Sequence, residues 1–588
     1  MKKLVVLLFL GLVIRLFFIP QPGFAADIAY WKSWSLAAAE KGIVWTTLET
    51  NYNYAPAFLY FLKAVGWLAG LTANANQFQT FWQETNLPYL VIIKLPVILA
   101  DLLTAVGLWW LIKNQNQSEK PALLAAAYYL FNPFIIFNGA YWGQVGSIGT
   151  GLIFLSLILL FKNKPVWSIG VATLAFLLKL QMIFYLPLLL LWTLKKHGWQ
   201  KFVLCLGAAV AVFMAVSFPF LLRHRMDKPI SLILSSADYF PYLSLNAYNL
   251  WWLVAKGAGF VTSDRILIFG TTNAKFLSLF AFLVFYLLAI LLLAQKTKKT
   301  TLFKACLWIA FAFFMLPTQM HERYIYPAFL FLALLLPTIL KSPAAKKRPI
   351  STYFYILLLI LLAITGFYNL HNALIVNYPG YGLPLISRLN FNSLTVATAA
   401  IHLLLFGGLS WLFLSQMDRR LSFSVLGLAV ALLVTKQASF VFAAQIPLTK
   451  IDPIVRYQEY SLPMKNLTTN SAWGPKRWAF LSTNYYFYRT GIGSHASSRL
   501  VYPLKGQFKR FETDVAIDTQ AGLGASVEFK IYGDNRLLYQ SGVVKKFDPP
   551  QHVVVEIASV NQLTLEITDA DDGNTDDHAD WLKPVLYK

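Results

Sequence analysis

About thirteen apolar runs govern what this chain can fold into. They lie near 4–20, 89–112, 121–138, 144–161, 165–179, 181–194, 202–221, 276–294, 303–317, 324–340, 352–370, 394–415 and 421–441. A run of roughly 20 apolar residues is long enough to cross a bilayer as a helix, where backbone polar groups can pair only with each other. Composition agrees: of 588 residues, 57% are hydrophobic and 13% are charged, against roughly 25% charged in a soluble domain. The expected fold is an α-helical polytopic membrane protein.

The formal net charge of +23 does not point to nucleic acid, because the basic residues sit largely in short loops between apolar runs. KNQNQSEK (113–120), FKNKP (161–165), LKKHGWQK (194–201), AQKTKKTTLFK (294–304), KSPAAKKRP (341–349) and MDRR (417–420) are all basic. That is the pattern of cytoplasmic loops. It places the N-terminus in the cytoplasm and the loops around 138–147, 222–275, 319–324 and 371–393 outside. Residues 55–72 are apolar too, but counting them as a span would invert every later loop. They are expected to form a helix lying in the interface, with Lys63 and Trp67 at headgroup depth. Cys205 and Cys306 lie within apolar segments, so neither a disulfide framework nor a zinc site is implied.

FAADIAYWKSW (24–34) follows the first apolar run and looks at first like a leader-cleavage site. Arg15 interrupts the run and its apolar stretch is long for a leader, so the first helix is expected to stay in the membrane. On a helix, Asp27, Tyr30, Trp31 and Trp34 share one face. That face suits aromatics at headgroup depth with a carboxylate at a cleft; alternatively Asp27 is an ordinary first-turn acid and the aromatics are anchors. Asp101 lies mid-span in VILADLLTAV and is expected to partner a neighbouring helix.

Beyond about 445 the pattern changes. ASVEFKIYGD and HVVVEIASVNQLTLEIT alternate apolar and polar residues between Gly, Asp and Pro, the signature of strands. The expected division is a membrane domain over 1–444, a linker over 445–470 and an all-β sandwich over 471–588. With an odd number of spans the sandwich lies outside the cell.

The membrane part resembles the GT-C superfamily of membrane-embedded glycosyltransferases, mannosyltransferase-like members that use polyprenyl-phosphate sugars. The resemblance rests on Arg15-Leu16, the loop with Asp27 and its W-x-x-W segment, Glu40-Lys41-Gly42, Tyr54-Ala55-Pro56, FNPFIIFNGAYWGQVGS (131–147), LLKLQ (177–181), SLNAYNLWWL (244–253) and TQMHERYIYP (318–327), in register over about 1–440. It implies that Asp27 is the general base, that His321, Arg323 and Lys179 bind the donor phosphate, and that Glu322, Trp31 and Tyr54 support them. Lys179 could instead simply snorkel. The chain departs from the family at Gly146, where an acid is common, and at Y-A-P in place of Y-P-P. The implied partners are a polyprenyl-phosphate sugar, a glycan or glycolipid acceptor and membrane lipids, at the extracytoplasmic face of a plasma membrane.

The β domain resembles the NPCBM group of carbohydrate-binding modules through G-I-x-x-H-A-x-S (491–498), F-x-x-D-x-x-I-D (511–518) and D-H-A-D-W (577–581). This implies a sugar-binding patch of Asp577, His578, Asp580 and Trp581; the other reading makes Trp581 core and the acidic loop a solvated turn. No cofactor is implied, the lipid-phosphate sugar being a substrate. The aspartates of 569–580 are of the right type for calcium but fit no EF-hand spacing. Two further readings need different features: a flippase wants charges along mid-membrane helices, and a membrane-anchored glycan binder wants one anchor helix.

Overall fold

The computed structural model describes residues 1–116, 118–235, 240–341, 349–469 and 480–588. The basic loop 341–349 falls mostly outside the described residues, as does the start of the expected β domain at 471–479. The chain divides into two compact units, 1–261 with 278–426, and 262–277 with 427–588.

Every expected apolar run is helical, but the count of crossings differs. Among the described residues seven helices are long and apolar enough to span a bilayer, or eight if the pair Glu119–Leu130 and Pro133–Tyr141, bent by 46°, is one span. Other runs make helices that fall short of the roughly 20 residues a crossing needs: Lys2–Phe18, Gly146–Phe161, Pro165–Leu178 and Lys299–Met315. The bend in the pair has a local cause. Pro133 disfavours helix at Asn132, whose side chain then caps the new helix by accepting from Phe134 N at 3.0 Å. The runs at 181–194 and 202–221 are joined through the expected basic loop 194–201, which is helical up to a kink at Gly198, φ +78°. Pro56–Thr72 is a helix with Lys63 and Trp67 exposed, as an interfacial segment requires.

Buried charge ties the first helix to the rest. Arg15 Nε donates to Asp101 Oδ2 at 3.1 Å with both side chains fully buried, and Tyr326 Oη donates to the other carboxylate oxygen at 2.7 Å. Asp101 is therefore the helix partner its isolation suggested. Lys94, which carried no signal in the sequence, donates to the carbonyls of Ile19, Gln21 and Tyr141 at 3.1, 2.5 and 2.9 Å. It fixes the chain between the first helix and the loop that follows Tyr141.

The helix Ala25–Glu40 lies against Pro56–Thr72. Their contact is so close that a Cβ on Gly66 would stand 2.0 Å from the Ser35 carbonyl oxygen. Gly66→Ala should force the two helices apart and cost about 1–3 kcal/mol or more, read as a lower melting temperature of the full-length protein in detergent. An unchanged melting temperature would show that the contact is not tight.

The second unit is a sandwich of two antiparallel sheets. One orders Gln551–Glu556, Arg510–Ile517, His578–Tyr587, Gly491–His495 and Met464–Lys465, with Gln445–Pro447 pairing further along His578–Tyr587. The other orders Arg536–Lys545, Ser526–Gly533, Gln562–Thr568, Ser498–Pro503 and Val455–Gln458. Alternation works as the sequence suggests: Val527, Phe529 and Ile531 face the core, while Glu528, Lys530 and Tyr532 do not. The expected linker 445–470 is not one, because it supplies three short strands to the sandwich. Strands of two to four residues between prolines are too short to show a period. The hairpin Leu267–Phe269 with Thr272–Asn273, within the long loop 222–275, also joins this unit.

Candidate functional site

Asp27 stands in the first turn of Ala25–Glu40. Gly23, at φ +71°, lets the preceding loop lie against the Trp142 backbone, where a Cβ would meet the Trp142 carbonyl at 2.3 Å. Ala26 N donates to Tyr378 Oη at 2.9 Å, and Phe24 stacks on Trp142 with centroids 5.2 Å apart. Gln144 Nε2 donates to Asp27 Oδ2. Gln144 follows a π-helical turn, Phe137–Tyr141, and Gly143 at φ +87°; such turns often mark functional sites.

Trp31 and Trp34 do not face headgroups. Both are buried beneath Asp27 against residues leading into Pro56–Thr72: Trp31 meets Tyr54 and Phe58 edge-on at 6.4 and 5.7 Å, and Trp34 meets Tyr52 and Tyr54 at 5.1 and 5.7 Å. The helix uses its aromatic stripe to pack on a neighbouring helix, leaving Tyr30 exposed. Tyr54 thereby stands beside Asp27, and burial together with that charge holds its hydroxyl protonated.

The second wall is the loop before Tyr326–Lys341. Leu245 N donates to Met320 O at 2.9 Å and Trp251 Nε1 to Leu316 O at 2.6 Å, so the SLNAYNLWW segment is tied to this loop. Arg323 Nη1 donates to Glu322 Oε1 at 2.7 Å and lies 3.4 Å from His321 Nδ1. Glu322 thus positions Arg323. The Arg323 guanidinium also lies 6.0 Å over the Trp142 ring. Burial, then the charge of Arg323, pushes His321 below its ordinary value, so its imidazole is neutral near pH 7.

These walls meet at Asp27. Burial raises its carboxyl above the ordinary value, while Arg323 and His321 pull the other way and the Trp142 side chain helps hold the anion. Lys179 sits at the break between Pro165–Leu178 and Leu180–Tyr185, within electrostatic reach of Asp27, Glu322 and Arg323. Its ammonium is buried and has no hydrogen-bond partner, so it does not snorkel. Asp27, Tyr54, Lys179, His321, Glu322 and Arg323 are therefore brought together, with Trp31 packed beneath. Trp142 and Gln144 belong to the same site, and the YWGQ segment quoted for the resemblance contains both.

The expected patch on the sandwich does not assemble as one surface. Trp581 is fully buried, edge-on to Phe529 at 5.0 Å, because its strand position points into the core. Asp580 is buried on the other face of that strand, near Asp518. Asp577 is buried and accepts from Ser526 N at 3.1 Å, and His578 lies edge-on to His495 at 5.0 Å. Among the aromatics that the unit exposes, Tyr485, Tyr486 and Phe487 cluster on the hairpin Leu481–Thr483 to Tyr486–Tyr488. The NYYFY run (484–488) is their signal in the sequence. Among the described residues no three His, Cys, Asp or Glu side chains converge as metal ligands.

Comparison with known proteins bears on the second unit. Over 99 residues the chain is 34% identical to alpha-1,3-galactosidase B of Akkermansia muciniphila, which covers 16% of this chain and 12% of that protein. The CBM51 of Clostridium perfringens GH95, solved with methyl-galactose, is 28% identical and covers 24% of this chain and 99% of its own, with a TM-score of 0.22. The arabinosyltransferase EmbB of Mycobacterium smegmatis aligns over 100% of this chain and 64% of its own at 13% identity, with a TM-score of 0.36, a likeness too slight to bear on fold or activity. Residues 462–587, most of the sandwich, match the NPCBM/NEW2 domain family.

Proposed function

We propose that this chain transfers a sugar from a polyprenyl-phosphate donor to a glycan or glycolipid acceptor at the extracytoplasmic face of the membrane. The observation that carries the reading is the convergence of a half-buried carboxylate, Asp27, with Arg323, His321 and an unpaired Lys179 among apolar helices. A lipid-linked donor would lie among such helices, its phosphate needing cations where charge gathers as the bond to the sugar breaks.

In this reaction Asp27 takes the proton of the acceptor hydroxyl as that oxygen forms its bond to the anomeric carbon. The bond from that carbon to the phosphate oxygen breaks, and the electron pair leaves with the lipid phosphate. Lys179 and Arg323 stabilise that charge, and neutral His321 can donate a hydrogen bond to it. Gln144 and Trp142 orient Asp27, and Glu322 orients Arg323. The sandwich, by its family match, holds a carbohydrate, with the exposed Tyr485, Tyr486 and Phe487 as stacking faces. The flippase reading is less well supported: Arg15, Asp101 and Lys94, charges buried among the apolar helices, are engaged in fixed bonds.

The test is transfer by the full-length protein in liposomes, offered a panel of polyprenyl-phosphate sugars or the corresponding nucleotide sugars, with product read by mass spectrometry. Transfer from a lipid-phosphate sugar alone is expected. Transfer from nucleotide sugars, or from no donor of the panel, would overturn the reading.

A further inference from the structure

Lys94 carries a charge that the reaction above does not use. Its ammonium has three N–H donors, and all three are spent on backbone: the carbonyls of Ile19 and Gln21 at 3.1 and 2.5 Å and that of Tyr141 at 2.9 Å. The side chain is buried and has no donor left for a substrate. The three carbonyls belong to two segments, and both segments end at Asp27.

Ile19 and Gln21 begin the segment that runs through Gly23 and Phe24 into the helix Ala25–Glu40, which bears Asp27. Tyr141 ends the π-helical turn and begins the segment that runs through Trp142 and Gly143 to Gln144. Midway along, the Gly23 backbone abuts the Trp142 carbonyl and the Phe24 ring stacks on that of Trp142. At the far end Gln144 Nε2 donates to Asp27 Oδ2. A Cβ on Gly143 would stand 3.3 Å from Lys94 Cε and 3.6 Å from Ile28 Cδ1, so the lysine stem passes under the turn that faces the Asp27 helix.

Each segment is anchored on its own side. The N–H groups of Trp142, Gly143 and Gln144 bond back to the carbonyls of Phe137, Gly139 and Asn138, while Gln21 N bonds to Phe18 O at the end of the first helix. Lys94 joins the two at their base. A compact ammonium suits this place, because its three donors diverge from one point where a guanidinium would spread them in a plane.

We infer that Lys94 is a positioning residue for Asp27: by holding segments 19–24 and 141–144 in one register, it sets the contact between Gln144 and the carboxylate. That the carboxylate takes a proton rests on the glycosyl-transfer reading; the register rests on the bonds alone. The charged and titratable groups around Asp27 are Arg323, His321, Glu322, Lys179 and the hydroxyls of Tyr54, Tyr324 and Tyr378. Lys94 is not among them, so it acts through the two segments.

The experiment compares the full-length natural chain in liposomes with Lys94→Met, Lys94→Gln, Gln144→Leu and the double variant Lys94→Met with Gln144→Leu. Two quantities are read. One is kcat and KM for transfer from a lipid-phosphate sugar. The other is the pH at which half of Asp27 is modified by dicyclohexylcarbodiimide, which attacks the protonated carboxyl; it is measured by peptide mass spectrometry and needs no substrate. Methionine keeps the stem without donors, and glutamine keeps an amide that can serve part of the carbonyl set. Lys94→Met should lower kcat about tenfold or more and leave KM within about threefold, since misplacing a reacting group by about 1 Å costs on the order of 100-fold in rate. Lys94→Gln should lower kcat less. Loss of the Gln144 donation destabilises the anion, so the labelling midpoint should move to higher pH in Lys94→Met and in Gln144→Leu. The double variant should move it no further than Gln144→Leu alone. The midpoint is a position on the pH axis, not a yield, so a poorly expressed variant still reports it.

A lower melting temperature with kcat and midpoint unmoved would make Lys94 merely structural and overturn the inference. Midpoint shifts that add in the double variant would overturn it too, because Lys94 would then act on Asp27 without Gln144. The expected midpoint shifts in a natural chain that transfers from no lipid-phosphate donor would uphold the register and remove the catalytic reading.

Discussion

Asp27→Asn is expected to lower transfer from a polyprenyl-phosphate sugar by roughly 10²–10⁴-fold, the range a positioned general base contributes, while leaving the melting temperature nearly unchanged. Asparagine keeps the shape and can still bond Gln144 after an amide rotation, but it cannot accept the acceptor's proton. A fall in activity with loss of fold would not count, so melting is measured on the same preparation. Undiminished transfer would remove Asp27 from its role. The pH profile gives a second check on the same group. Burial disfavours the anion and lifts the carboxyl above its ordinary 3.8, against the pull of Arg323 and His321. A base works only when ionised, so activity is lost as pH falls through the raised value. The acid limb of kcat/KM should therefore lie above the ordinary carboxylate range, and a limb at or below 3.8 would show that Asp27 is not the group titrating.

The largest effect on stability is expected at Arg15. Arg15→Met leaves Asp101 fully buried with tyrosine hydroxyls, Tyr326 first, in place of a cation, and breaking a buried pair from one side costs about 3–5 kcal/mol. The reverse change should cost less. Arg15 also donates to the carbonyls of Gly11 and Leu130, at 3.1 and 2.9 Å, so Asp101→Leu leaves its charge partly solvated by backbone. Arg15→Met with Asp101→Leu should recover most of the loss, because two apolar side chains can replace a desolvated pair. Melting in detergent of the two single variants and the double variant closes the cycle. Equal and additive losses would show that the pair is not coupled.

Much of this was legible in the chain, and the illegible parts have physical causes. Asp101 stood out because one acid in an apolar run is costly. Arg15 stood out as a charge interrupting the first run, but not as the partner of Asp101, since 86 residues separate them. Lys94 gave no signal because its partners are carbonyls, which every residue has. The W-x-x-W stripe was visible as a helix face, but a face suited to headgroups is equally suited to a neighbouring helix. Trp581 looked like a sugar platform beside Asp577 and His578, yet alternation on its strand sends it to the core.

The sequence by itself determined where the apolar helices and the longer strands lie, because hydrophobic period is a local property of the chain. It also carried, in short motifs, the residues that meet at Asp27. Tertiary structure alone decided which charges are spent and which are free. Arg15 finds a carboxylate, Lys94 finds carbonyls and Arg323 finds Glu322, while Lys179 faces a glycine. Charge pairing depends on what distant segments bring within a few ångströms, and in a buried, low-dielectric site that choice fixes where an anion can bind.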